Sequence, residues 1–242
     1  MLGDNLPRTL TVMELPARIA HRRLYPSLAD PSYLTLRSRR LRFAAWAHQF
    51  QGQPLTILDI GGRYQPYRPL FDGRVKHYFA LDLIQTEFVN VVADAEAIPF
   101  PRATFDLAIA TQVFDYLRDP VATAKQIHAV LKPGGVLLAS FAACAPRFRD
   151  DELWRFTASG LRLLLEPFET VEIVPELHSV AGLIRTVNLG LDTFVRYEIA
   201  RRAYRLTVCP ILNLAGLGLE ALKLTANDQF TTNYSVRAEK AR

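Results

Sequence analysis

Cysteine is nearly absent. The 242-residue chain has two, Cys144 and Cys209, and neither sits in a spacing that would form a disulfide framework or a zinc knuckle. The five histidines, His21, His48, His77, His128 and His178, are scattered with no His-x-x-x-His pair on a helix face, so no metal site is expected. Long apolar runs are missing as well. Asp4, Arg8, Glu14 and Arg18 interrupt the stretch from Met1 to Arg23, which leaves no apolar segment of the kind a secretory leader needs. The longest uncharged stretch towards the C-terminus, Leu206 to Leu219, is too short to span a bilayer and contains Pro210 and two glycines. A soluble, cytoplasmic protein is the resulting expectation.

Several ligand-binding signatures are also missing. After the first strand candidate the chain runs Gly61-Gly62-Arg63-Tyr64-Gln65-Pro66, so the Gly-x-Gly-x-x-Gly turn of dinucleotide enzymes is not there. None of the nine tyrosines is followed by lysine four positions on, which removes the short-chain reductase pair. No Gly-Lys-Ser/Thr provides a phosphate-cradling loop, and no Gly-x-Ser-x-Gly provides a hydrolase elbow. Nicotinamide, nucleoside-triphosphate and serine-hydrolase chemistry lose ground together.

What the chain does have is a globular composition, with half of its residues hydrophobic, and length for one α/β domain with a small appendage. The net charge of +5 is uneven. Residues 1–50 carry 8 basic against 3 acidic groups, residues 51–178 carry 12 against 16, and residues 179–242 carry 9 against 5. Basic flanks around an acidic centre can attract phosphate, nucleic acid or an anionic membrane, although solvated helix faces are the commoner cause.

Periodicity predicts a leading helix over 32–50, with Leu34, Leu36, Leu41, Ala44 and Ala45 set against Arg37, Arg39, Arg40 and Arg42. Strands are predicted at Thr56–Ile60, His77–Leu83, Phe88–Val92, Phe105–Ala110, Val136–Phe141, Thr170–Pro175 and Thr232–Ala238. Most are continuous apolar runs, as expected of strands buried on both faces. Asp119-Pro120 should start a helix that Lys132-Pro133-Gly134-Gly135 turns back into the sheet, and Thr157 should cap another. Strand–helix alternation implies a doubly wound α/β sheet. Residues 1–52 read as a helical lead, 53–178 as the core, 179–230 as a helical cap insert and 231–242 as the last strand and tail. In the insert, Val195, Ile199, Ala203 and Leu206 share one face and Arg201, Arg202 and Arg205 another. Packing of that apolar face on the sheet is the first expectation, ahead of a homodimer surface or peripheral contact with anionic lipid.

The most informative stretch is Ile57-Leu58-Asp59-Ile60-Gly61-Gly62, an apolar run ending in a carboxylate and a glycine turn. A second acid, Asp82, closes another apolar run 23 residues later. That spacing suits presentation of a carboxylate to ribose hydroxyls. Further pieces follow in order: Val92-Ala93-Asp94-Ala95-Glu96-Ala97-Ile98-Pro99-Phe100-Pro101, Phe105-Asp106, Gln112-Val113-Phe114-Asp115-Tyr116-Leu117-Arg118-Asp119-Pro120 and Leu131-Lys132-Pro133-Gly134-Gly135. In this series the chain resembles the class I S-adenosylmethionine-dependent methyltransferases, type 11 group, over about residues 55–175. The block Trp154-Arg155-Phe156-Thr157-Ala158-Ser159-Gly160-Leu161 resembles relatives that modify sugars or glycans.

The resemblance implies a Rossmann-like, doubly wound, seven-stranded sheet, mostly parallel with an antiparallel C-terminal strand. It implies S-adenosyl-L-methionine as cofactor, held by Asp59, Gly61, Gly62, Arg63, Asp82, Leu83, Asp94, Ala95 and Gln112. Within that set Asp82 would take the ribose hydroxyls, Asp94 and Ala95 the adenine, and Gln112 the sulfonium end. Arg63 stands where the family commonly has glycine, so it would narrow the channel or pair with the cofactor carboxylate. Asp115 and Tyr116 replace a common Glu-His pair, which makes Asp115 the candidate base and Tyr116 a positioning group, with Trp154 and Arg155 near the acceptor. Asp106 reads as a structural partner of a neighbouring loop. The implied activity is methyl transfer to a small-molecule, sugar or glycan acceptor, at oxygen, without a metal. A non-catalytic binding protein of the same fold is the alternative, and a nucleic-acid methylase ranks last because no Asn-Pro-Pro-Tyr-type motif occurs.

Overall fold

The computed structural model describes residues 14–50, 52–222 and 227–242. Among these, one seven-stranded sheet organises the chain: β1 (Leu55–Ile60), β2 (Val75–Asp82), β3 (Val91–Val92), β4 (Phe105–Thr111), β5 (Leu131–Ala142), β6 (Thr170–Pro175) and β7 (Asn233–Glu239). Their spatial order is β3-β2-β1-β4-β5-β7-β6. All neighbours run parallel except β7, which lies antiparallel between β5 and β6. The doubly wound sheet with a reversed C-terminal strand is therefore the one the sequence implies. Connections reverse direction between β1 and β4, and such a switch point opens a crevice at the carboxyl ends of the strands.

The apolar runs are continuous because successive side chains feed two different cores. Leu58, Ile60, Ala108, Ala110, Leu137 and Ala139 face one side, where α3 (Pro120–Val130) and α4 (Ala158–Leu164) cover them. Ile57, Leu107, Ile109 and Leu138 face the other, against α1 (Glu14–Leu24) and α2 (Tyr33–Ala47), whose Leu24, Phe43 and Trp46 are buried. Each leucine, isoleucine or phenylalanine among them contributes roughly 1.5–3 kcal/mol by leaving water. Local signals set the helix starts. Asp119 accepts from the Ala122 amide at 2.8 Å with Pro120 at the first helical position, and Thr157 accepts from Gly160 at 3.1 Å.

Three elements differ from the expectation. The strand predicted at Phe88–Val92 shrinks to Val91–Val92, because the Asn90 side chain supplies bonds that a longer strand would make. Its Oδ1 accepts from Ala80 N–H and its Nδ2 donates to Tyr78 O. On α2, Arg39 is no solvated residue: it is buried and pairs bidentately with buried Glu176 at 2.7 and 3.0 Å, while Leu41 and Ala45 are exposed. The pair survives burial because both guanidinium bonds are made and Ser235 Oγ donates a further one to Glu176.

The third difference is the helical insert: α5 (Ser179–Phe194), α6 (Glu198–Leu206) and α7 (Val208–Leu222). The predicted apolar face of α6 points outward, with Ile199 85% and Leu206 74% exposed. It is the polar side that docks. Arg205 clasps Asp192 of α5 at 2.6 and 2.8 Å, and Tyr204 donates to Asn188 Oδ1 at 2.6 Å. Two polar anchors on α5 thus outweigh the apolar stripe in orienting α6. By length and composition alone the helical run Glu198–Leu222, 25 residues, could cross a membrane, its apolar residues lying mostly in α7. The layer joins the core through α2, where Gly216 lies so close to Leu34 that a Cβ would come within 2.5 Å of Leu34 Cδ1.

Candidate active site

The turn after β1 is held to the end of β2: Leu81 O accepts from both Gly61 N–H, at 2.8 Å, and Gly62 N–H, at 3.1 Å. Gly61 has φ +72°, and a Cβ there would meet Val113 Cγ2 at 2.6 Å, so the position requires glycine. Asp59, one residue before the end of β1, is 4% exposed and accepts from the Tyr78 hydroxyl at 2.7 Å. Burial pushes its pKa up to about 7, against the pull of that bond.

This shift has a signed consequence for stability. The folded protein holds the Asp59 proton up to about pH 7, whereas an unfolded aspartate releases it near its ordinary value of 3.8. The Asp59 contribution is therefore lost as pH rises between those values. Asp59→Asn should make the protein more stable than wild type at pH 8, by about 1–3 kcal/mol, with the advantage shrinking towards pH 4. Urea midpoints at the two pH values check it, and an equal loss at both would place a charged aspartate in the fold.

At the end of β2, Asp82 Oδ1 accepts from Ile84 N–H at 3.0 Å, while Oδ2 accepts from Arg63 Nε at 3.1 Å. Arg63 thus covers the Asp82 carboxylate, whose side chain is only 2% exposed. Next to it, Leu83 and Ile84 are 66% and 52% exposed, an apolar ledge at the strand end. Asp94 is exposed and its Oδ1 accepts from Glu96 N–H at 2.9 Å, closing a small turn, while Ala95 is buried beneath it. Asp106 lies at the opposite end of the sheet, accepting from Thr56 N–H at 2.8 Å and pairing with Lys132 at 2.7 Å. These residues suit S-adenosylmethionine in kind: an acceptor-only carboxylate for a diol, an apolar ledge for a base and a glycine turn. The Arg63 side chain occupies Asp82 Oδ2 in this structure.

Beyond β4 the chain passes into a cavity of about 500 Å³ at the switch point, lined by Thr111, Gln112, Asp115 and Tyr116, with Asn233 of β7 and Tyr64 of the glycine turn. Gln112 sits at φ +55°, unusual for a residue with a side chain. Its amide is fixed between Ser140 Oγ at 3.2 Å and Asn233 Nδ2 at 3.0 Å. Asp115 is 4% exposed; Oδ1 accepts from Ala142 N–H at 3.2 Å, and no donor engages Oδ2 among the described residues. Burial raises its pKa to about 6. Tyr116 donates to Glu152 at 3.3 Å, and burial together with that carboxylate pushes its pKa up to about 12, so it stays protonated. Arg155 also lines the cavity, held by Glu152 and by three carbonyls. Trp154 does not: its indole donates to Leu117 O at 2.6 Å, outside the lining.

Of the nine residues named for the cofactor, Gln112 alone lines this cavity; the others cluster at the ends of β1, β2 and β3. Sequence reasoning missed Arg23, Arg39 and Arg185, which also line it. A signal was available for Arg185, since it shares a helical stripe with buried Ala181 and Leu189. Among the described residues, no group of three or more His, Cys, Asp or Glu side chains is placed to hold a metal ion.

A family model described as a methyltransferase domain, of type 11, matches residues 58–139. The chain is similar to the mouse (Mus musculus) protein named arginine-hydroxylase NDUFAF5, mitochondrial, with 40% identity over 213 residues, 78% of this chain and 60% of that one. It spans 37–60% of the length of the mammalian relatives of that name. It is also 30% identical over 92 residues to the malonyl-[acyl-carrier protein] O-methyltransferase of Hahella chejuensis, covering 38% and 32% of the two chains. In fold it matches an S-adenosylmethionine-dependent methyltransferase from Archaeoglobus fulgidus with a TM-score of 0.55 at 15% identity, over 92% of this chain and 99% of the other. Strand order, glycine turn and the methyltransferase domain model matched over residues 58–139 together support a fold of the class I S-adenosylmethionine-dependent methyltransferases.

Proposed function

We propose that the chain transfers a methyl group from S-adenosyl-L-methionine to an oxygen of a small-molecule, sugar or glycan acceptor. The observation that carries this reading is Asp115, a buried carboxylate with pKa about 6 and an unengaged oxygen, in a cavity that starts at the switch point. Asp82 accepts from the ribose hydroxyls once Arg63 swings away, Leu83 packs on the adenine, and Asp94 offers its carboxylate to the adenine amine with Ala95 beneath. The Gly61-Gly62 turn lets the methionine end approach the backbone, with Asp59 bracing the turn from below through Tyr78. Gln112, fixed at both ends of its amide, walls the sulfonium side. The bound cofactor supplies an electrophilic methyl group, so the protein has to place the acceptor oxygen and remove its proton. Asp115 takes that proton, since above pH 6 its carboxylate is free to accept it. Tyr116 and Arg155 shape the acceptor side. The likeness to an O-methyltransferase supports oxygen as the accepting atom.

Two other readings each have one observation behind them. Arg63 lying over Asp82 favours a non-catalytic binding protein. The 40% identity to a protein named as an arginine hydroxylase favours chemistry on an arginine side chain, but Arg23 and Arg185, which line the cavity with no carboxylate bonded to them among the described residues, oppose a cationic substrate. Radiolabelled methyl transfer from the cofactor into cell extract with identification of the product, run beside mass spectrometry of arginine peptides for an added oxygen, separates the three. Label in an O-methyl group supports the proposal. No transfer by a protein that binds the cofactor supports the non-catalytic reading, and oxygen incorporation into a peptide arginine supports the third.

A further inference from the structure

The cavity is strongly cationic, yet most of its arginines are spoken for. Arg22 clasps Asp30 at 2.5 and 3.1 Å, Arg39 clasps Glu176, Arg149 holds Asp151 at 2.8 Å and Arg155 holds Glu152. Arg185 and Arg23 are the exceptions, and Arg185 is the more fully stranded. It extends from α5 into the cavity, is 4% exposed, and its Nε and Nη1 have no hydrogen-bond partner among the described residues. Glu176 and Asp30 are the nearby carboxylates, and both are already used by other arginines. Burial lowers its pKa to about 10, which still leaves it charged at neutral pH. Its guanidinium lies 6.0 Å from the Phe148 ring centroid. Arg23 of α1, which also lines the cavity, stands 4.9 Å over the Tyr64 ring, with no carboxylate bonded to it among the described residues, and burial lowers its pKa as well.

A buried guanidinium without an anion is unfavourable, and its fork matches carboxylate and phosphate oxygens in pairs. We propose that the methyl acceptor carries an oxyanion, carboxylate or phosphate, which Arg185 clasps inside the cavity with Arg23 as the second cation. This rests on the methyltransferase reading, because it makes the cavity the acceptor site. Arg185 then anchors one end of the acceptor while Asp115 meets its hydroxyl. The cavity volume is in the range that holds a small molecule.

The test uses the full chain without cofactor, so its outcome is independent of whether methyl transfer occurs. Melting is followed in inorganic phosphate, in acetate and in chloride at matched ionic strength. Phosphate or acetate should raise the melting temperature above that in chloride, by several degrees, and the more effective anion names the group. Arg185→Met should abolish that response while melting at or above wild type in chloride, because an unpaired buried cation has been removed. Arg185→Lys, a charge without the fork, should keep part of the response. The proposal fails if neither anion shifts the wild type, if the response survives in Arg185→Met, or if Arg185→Met melts lower in every salt, as a purely structural arginine would.

Discussion

Asp115→Asn should lower kcat by about 10²–10⁴-fold and leave cofactor affinity within about twofold, if Asp115 removes the acceptor proton. Asparagine is nearly isosteric, and its Oδ1 can still accept from Ala142 N–H, so the loop after β4 keeps its shape. The same loop is tied by Asp115 O, which accepts from Leu153 and Trp154 N–H at 2.7 and 3.2 Å and does not depend on the side chain. The variant should therefore fold. The pH profile provides the sharper readout. A base with pKa about 6 gives wild-type kcat/KM that rises through pH 6 and then levels, and the variant should lack that acid limb. Full activity in Asp115→Asn, or an unchanged acid limb, would move the base elsewhere. Stopped turnover with radiolabelled cofactor at five or so pH values is sufficient.

The second large effect concerns Asp82 and Arg63. Asp82→Ala should weaken cofactor binding by about 100-fold or more, since two hydroxyls lose bonds to a charged acceptor at roughly 1.5–3 kcal/mol each. Arg63→Ala should act in the opposite direction. Opening the partly exposed Arg63–Asp82 pair costs about 1 kcal/mol, so its removal tightens binding by about fivefold. Calorimetry with the cofactor's demethylated product measures both. Weaker binding in Arg63→Ala would show instead that the guanidinium meets the cofactor carboxylate, and unchanged binding in Asp82→Ala would remove this carboxylate from the site.

Much of the scaffold was legible because its signals are local. Proline after Asp119, Thr157 before a helix, and apolar runs ending in Asp59 and Asp82 each fix an element regardless of distant partners. The two faces of the sheet follow from period two once those runs are read as strands. What escaped were pairings across long separations. Arg39 looked like a solvent-facing residue on a helix because nothing near it in sequence announces Glu176, 137 residues away. The orientation of α6 was misread for the same reason: its own periodicity shows an apolar stripe, but Asp192 and Asn188 on α5 decide which side docks. Arg63 illustrates a third kind of miss. Its departure from glycine was visible, but both expected roles faced the cofactor, whereas its partner in the structure is Asp82. Arg185 could have been suspected from its stripe, though its lack of an acid is a property of the whole cavity.

The place of β7 between β5 and β6 sets an order of assembly. The β1, β2 and β4 strands come from residues 55–111 and pair with near neighbours, so the cofactor half can form from local contacts. The acceptor half cannot. Asn233, which holds Gln112, lies at the start of β7, and β6, which leads into α5 and Arg185, has β7 as its neighbour in the sheet. On the ribosome, β1, β2 and β4 therefore precede β7 by more than a hundred residues of synthesis, and under the proposed function a partly made chain has a place for the methyl donor before it has any place for what is to be methylated.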